Sequence, residues 1–250
     1  MRLYTAAEHL DHSIASWEKK SLQTFQQKMS DKNHLFPCIP ATQGHSLDQF
    51  RYGFVGDPRS ESTIEEFAQL LKEYTENSRH FGKYTSLIVF FETPLELIEQ
   101  YDVEQFEQLF WEVLSGISSI DEKEWPENIP VDPHNPVWEY CFHQEKYFMY
   151  CATPAHENRK SRNFPYFMMA ITPRWVLEQF NENKSLAAKI KENIRKRIVD
   201  YDSVPIHPDL NTYGKEDNYE WKQYFLHDDE SSLSKCPYHR FLKLIGREKK

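Results

Sequence analysis

The amino-acid sequence predicts an α+β fold: a central mixed or antiparallel sheet with flanking helices and a long C-terminal tail that wraps the body. Three observations predict it. Strand-like and helix-like segments are interspersed without the regular alternation of a doubly wound parallel sheet. Tyr84 to Phe91, YTSLIVFF, is mostly β-branched or aromatic and flanked by turn signals, as a buried strand requires. From Asp200 to Lys250 the periodicity fades while Tyr and Trp remain frequent, so this stretch reads as a packed tail rather than a disordered one.

Each element follows from a local pattern. Leu10, Ile14, Trp17, Leu22 and Phe25 recur at helical spacing between Ala6 and Met29. His34 to Pro40 is bounded by prolines and reads as extended. Arg51 to Val55 reads as a short strand ending in the turn Gly56-Asp57-Pro58. Ser62 or Thr63 can cap a helix carrying Phe67, Leu70, Leu71 and Tyr74. Val103 to Ile120 places Phe106, Leu109, Phe110, Val113, Leu114 and Ile117 on one helical face. After an aromatic, Pro-rich connector (Trp125 to Pro136), Trp138 to Cys151 suggests a hairpin turning at Gln144-Glu145. A strand at Phe164 to Thr172, helices at Arg174 to Phe180 and Ser185 to Tyr201, and a short helix around Asn218 to Phe225 complete the order.

Composition bounds the function. The chain has 250 residues, the upper end of what one core serves, and is expected to form a single domain, 1–250. Its 17 Phe, 14 Tyr and 6 Trp supply core area that Val and Ile do not. The 7 glycines form neither a GxGxxG nor a Walker loop, which argues against a dinucleotide or P-loop site. GxSxG and HExxH are absent as well. A net charge of −9 argues against nucleic acid as a partner. The local exceptions, Arg159-Lys160 with Arg162 and Lys191 with Arg195-Lys196-Arg197, suit a small anion better than a duplex. With no signal-like N-terminus, no apolar span and dispersed cysteines (Cys38, Cys141, Cys151, Cys236), the expectation is a cytoplasmic protein with reduced thiols, away from the membrane.

The densest constellation runs from Thr153 to Pro165, between two predicted strands, and contains His156, Arg159 and Arg162. An imidazole can ligate a metal while guanidiniums clamp carboxylates, a pairing that suits the iron and propionates of a porphyrin. The competing reading is a helix start with solvated charges. Cys236-Pro237-Tyr238-His239 could supply a thiolate or imidazole ligand, or could be simple tail packing. Arg51 could bind a substrate carboxylate or pair with an acidic neighbour. His9 and His12, at i and i+3, lack a third ligand and read as surface histidines. Asp228-Asp229-Glu230 reads as a solvated acidic run.

Taken in order, FPCIPATQG, RYGFVGDPR, GKYTSLIVFFET, SIDEKEWPENIPVDPHNPVWEYCF, CATPAHENRKSRNFPYFMMAITPRWV, IRKRIVDYDSVPIHPDL, EDNYEWKQYF and KCPYH resemble the YqcI/YcgG family across most of the chain, residues 34 to 239. Some members of that family are haem-dependent N-oxygenases that hydroxylate a guanidine or oxidise an amine. The resemblance therefore implies haem b, O2, an electron donor from an unidentified redox partner, and a small amino-acid-like substrate. It assigns His156 as axial ligand with Cys236 as the alternative, Arg159 and Arg162 to the propionates, and Cys236 or His239 to the pocket. Glu139, Asp132 and Arg51 are the candidates for substrate contact. A haem or small-ligand binder without turnover is the second reading, and a scaffold acting through protein contacts the third. Surfaces rich in Phe and Tyr leave room for a homodimer interface.

Overall fold

The computed structural model describes residues 3–8, 15–213 and 215–238. Its sheet has five strands in the order β1-β2-β5-β4-β3. β1 (Arg51–Val55) and β2 (Leu87–Phe91) pair in parallel, whereas β2 with β5 (Met168–Pro173), β5 with β4 (Glu145–Ala152), and β4 with β3 (Tyr140–Phe142) are antiparallel. The parallel pair needs a crossover, and α3 (Glu61–Asn77) supplies it. The predicted mixed α+β architecture is what forms.

Strand alternation divides the core into two layers. Leu87, Val89 and Phe91 of β2, Tyr147, Met149 and Cys151 of β4, and Met169 and Ile171 of β5 face one side. There they meet Phe67, Leu70, Leu71 and Tyr74 of α3 and the predicted apolar face of α5 (Val103–Ser119). Gly53 lets α3 approach: a Cβ there would stand 2.7 Å from a methyl carbon of Leu70. Tyr52, Phe54, Ile88, Phe90, Ala152 and Met168 face the other side, covered by Leu22, Phe25 and Met29 of α1 (Ser16–Ser30), with Phe36 and Tyr201. Each fully buried side chain of this size contributes about 1.5–3 kcal/mol.

Local signals set the ends. Asp102 and Gln105 form a reciprocal capping box at the start of α5, worth about 0.5–2 kcal/mol. The β3–β4 hairpin turns through His143 and Gln144, both at positive φ (51° and 64°), one residue earlier than the sequence suggested. His34 to Pro40 is not wholly extended, because Pro40 opens α2 (Ile39–Ser46), where its missing N–H costs nothing. α4 (Leu95–Gln100), one and a half turns long, carried too little periodicity to be foreseen. α6 (Arg174–Asn181) and α7 (Lys184–Asp202) follow β5 as expected. The predicted first helix begins at Ser16, and residues 9–14, with His9 and His12, lie outside the described residues.

The tail does wrap back. α8 (Glu220–Tyr224) lies on β4, and Trp221, Tyr224, Phe225 and Tyr238 are buried in the first core layer. The Tyr224 hydroxyl accepts from the Tyr140 amide at 3.1 Å and donates to the Tyr147 carbonyl at 2.9 Å, stitching the tail to the β3–β4 hairpin.

Candidate functional site

The loop from Thr153 to Tyr166 joins β4 to β5 and is closed at its neck by two backbone bonds. Thr153 N–H donates to Arg162 O and Phe164 N–H to Thr153 O, both at 3.0 Å. Inside the neck, His156 is fully buried. Its Nδ1 meets the Thr153 hydroxyl at 2.8 Å and its Nε2 meets the Leu226 carbonyl at 2.8 Å. A carbonyl can only accept, so Nε2 carries the proton and Nδ1 accepts from Thr153. Burial drives the His156 pKa down to about 4, so the ring is neutral near pH 7.

Arg159 and Arg162 point the same way, at the tail. Arg159 donates to the carbonyls of His227 (2.6 Å), Pro205 (3.0 Å) and Asp229 (2.9 Å). Arg162 donates to the carbonyls of Cys151 (3.2 Å), Tyr224 (2.9 Å) and Gln223 (3.0 Å), with its guanidinium 4.2 Å from the Tyr150 ring centroid. In return, the Asp228 carboxylate accepts from the consecutive amides of Glu157, Asn158 and Arg159 at 2.6–3.0 Å. Such a run of amides is an anion cradle, and these bonds outweigh burial to hold the Asp228 carboxyl below its ordinary range. Ser161 is tied to Asp202 through its amide (2.6 Å) and hydroxyl (2.9 Å). The constellation that stood out in the sequence is therefore a clasp between the β4–β5 loop and the C-terminal tail. Asp228, read as part of a solvated acidic run, is its anionic half. The one signal for it was three loop amides after a Pro turn with no local acceptor.

Two further buried polar groups lie outside the clasp. His227 Nε2 contacts Glu107 of α5 at 2.6 Å and its Nδ1 contacts the Ser231 hydroxyl at 2.9 Å, and the Glu107 partner holds the imidazole pKa above its ordinary value. Arg174 Nε pairs with Glu139 and its Nη2 with Glu220, while Tyr213 caps Glu139 Oε2 at 3.0 Å. Glu139 is fully buried, and desolvation raises its pKa despite Arg174. Periodicity gave no hint of Arg174 or Glu220, whose partners are far apart in the chain.

The remaining candidates are scattered. Arg51 donates to the Phe50 carbonyl at 2.7 Å and stacks 4.0 Å from the Phe81 ring. Asp132 is exposed and accepts from the His134 amide in a turn. Cys236 packs against the first core layer, and burial keeps its thiol protonated. All four cysteines are free. His239 lies outside the described residues. Among the described residues no helix is long and apolar enough to cross a membrane.

The other side of the loop faces open space. Beyond the carboxyl ends of β1 and β2, a cleft of about 290 Å³ is lined by Pro154, Asn163, Phe164 and Tyr166 of the loop, Lys20 of α1 and Ile98 of α4. The loop is fastened to the end of β2 there: Phe91 N–H donates to Phe167 O at 3.1 Å, and Phe167 N–H donates to the Thr93 hydroxyl at 2.8 Å.

The YqcI/YcgG family model matches residues 25–239, from the last turns of α1 through the loop to the tail. The chain belongs to the YqcI/YcgG family. It is 48% identical over 242 residues to "Uncharacterized protein YqcI" of Bacillus subtilis (strain 168), covering 97% of this chain and 95% of that protein. It is 45% identical to "Uncharacterized protein YcgG" of the same organism, covering 99% and 98%. A more distant match, 28% identical over 238 residues and covering 92% and 87%, is "Putative N(omega)-hydroxy-L-arginine synthase DcsA" of Streptomyces lavendulae. No solved structure matches the chain.

The family resemblance implies haem b, and the residues assigned to it do not fit it as they stand. Both nitrogens of His156 are engaged and the ring is sealed, so ligation would break the bond to Leu226 or to Thr153. The Arg159 and Arg162 donors that would meet propionates are engaged by backbone carbonyls, whose exposure in a dry interior would cost about 1–3 kcal/mol each.

Proposed function

We propose that this protein is an N-oxygenase acting on a nitrogen of a small guanidine- or amine-bearing, amino-acid-like substrate. The observation that carries this reading is the likeness to the Streptomyces lavendulae protein, which extends over 92% of the chain and whose name specifies N-hydroxylation of arginine. In the proposed reaction one atom of O2 enters an N–H bond to give N–OH. The other leaves as water, using two electrons and two protons from an external donor. The dispersed free cysteines support work in a reducing cytoplasm.

Haem b enters this reading through the family resemblance. Binding it would require a ligand other than His156 as placed. A thiolate at Cys236 would first have to lose the proton that burial stabilises. Glu139 and Arg51 would reach a substrate only by leaving Arg174 and the Phe81 ring.

Ligand binding without turnover is a second reading, favoured by one observation: His156, Arg159 and Arg162 are consumed by the clasp. Incubation with L-arginine, L-lysine or a cyclic guanidine, plus O2 and a reductant, separates the two. An N-hydroxylated product supports the oxygenase; ligand binding with no product supports the binder.

A further inference from the structure

The clasp uses the inner side of the 153–166 loop, and residues of its outer side line the cleft. That side is held rigid. Asn163 Nδ2 donates to His156 O at 2.6 Å. Lys28 Nζ reaches across from α1 to the carbonyls of Lys160 (2.7 Å) and Asn163 (2.6 Å). Burial pulls the Lys28 pKa down to about 8, which still leaves it mostly charged near pH 7. A wall fixed in this way loses little entropy when a ligand settles on it.

The chemistry of the cleft is asymmetric. Lys20 is exposed on α1 and makes no hydrogen bond or ion pair among the described residues, in contrast to the nearby Lys28. The rings of Phe164 and Tyr166, 6.4 Å apart between centroids, share the lining with Lys20, and Trp17 packs 6.1 Å from Tyr166. Tyr166 is half-buried and its hydroxyl has no partner among the described residues. Asn163 spends its amide hydrogens on His156 O and keeps Oδ1 as an acceptor.

We propose that this cleft binds a small amino acid with a cationic, planar side chain, its α-carboxylate on Lys20 and its guanidinium across the Tyr166 ring. An ammonium meets a carboxylate as a compact point charge, and a guanidinium stacks on an aromatic face, so the two ends of the ligand are told apart. The inference takes the substrate class from the proposed N-oxygenation; the placement comes from the cleft alone.

Isothermal titration calorimetry on the full-length protein tests it, using L-arginine, agmatine (no carboxylate) and L-citrulline (no cation). Lys20→Met is expected to weaken L-arginine about tenfold and to leave agmatine unchanged, since one charge-assisted bond is lost. Tyr166→Leu is expected to weaken L-arginine and agmatine alike while affecting L-citrulline less. The Lys20→Met thermal melt should match the parent, because that side chain is exposed; Tyr166 packs against the second core layer, so binding to Tyr166→Leu is measured below that variant's own melting transition. Parent and variants binding L-arginine equally would overturn the placement and leave N-oxygenation standing. A parent that binds none of the three would overturn the placement as well, and would leave N-oxygenation of an amine or a cyclic guanidine to be judged by product formation.

Discussion

Replacing Arg162 with Met separates a clasp from a cofactor cradle. The Met side chain keeps much of the apolar stem over Tyr150 but removes the charge and the donors to Cys151, Tyr224 and Gln223. Three carbonyls then stay buried without partners or drag the tail into water. Each buried carbonyl left without its donor costs about 1–3 kcal/mol, against a typical total stability of about 5–15 kcal/mol. At a urea slope of about 1–3 kcal/mol/M this lowers the unfolding midpoint by on the order of 1–3 M. Tryptophan fluorescence reads the transition, with Trp221 on the tail itself, and hydrogen exchange of residues 220–231 should rise first. Arg59→Ala, which removes an exposed pair with Asp57, is the control and should barely move the midpoint. If Arg162→Met unfolds within about 1 kcal/mol of the parent, the clasp does not hold the tail. Arg162 would then be available for another charge.

The buried polar groups give three more expectations. The unfolded chain takes up a proton on His156 near pH 6.5 while the folded chain resists until about 4, so stability falls as pH drops through that window, by up to about 3 kcal/mol. His156→Gln should flatten that slope in urea titrations at stepped pH. For His227 the sign is opposite: its raised pKa adds stability that is fully present below pH 6.5 and disappears as pH climbs through the folded value, so tail exchange should quicken in alkali. Arg174→Met strands the carboxylates of Glu139 and Glu220 together, costing about 3–5 kcal/mol near pH 7, and part of that loss should return on acidification as one carboxyl takes a proton. Gly44→Ala should destabilise strongly in thermal melts, because its Cβ would lie 2.4 Å from the Tyr84 carbonyl oxygen and 2.7 Å from the Phe50 ring.

What could be read from the residues was what periodicity carries. The buried face of α5 and the strand Arg51–Val55 match their patterns because a 3.6-residue or two-residue repeat is written locally. α2 escaped because Pro37 and Pro40 read as breakers, although Pro40 at the first turn is a helix opener. The Thr153–Pro165 segment was legible as important but not in its role. The side chains of His156, Arg159 and Arg162 identify donors, whereas most of their acceptors are main-chain carbonyls some sixty or seventy residues away, which no side-chain pattern encodes. The cleft went unseen for the same reason: Lys20, Ile98 and Tyr166 meet only after the loop is tied to the end of β2.

The most direct test of N-oxygenation uses protein expressed with a haem precursor, isotopically labelled O2 and an electron donor. L-arginine, L-lysine and a cyclic guanidine are each supplied, and products are read by mass spectrometry. The account predicts one labelled oxygen on a nitrogen of at least one of them, formed only when protein, O2 and reductant are all present. Binding of these compounds without incorporation of label into any of them, by protein that is folded, would contradict it.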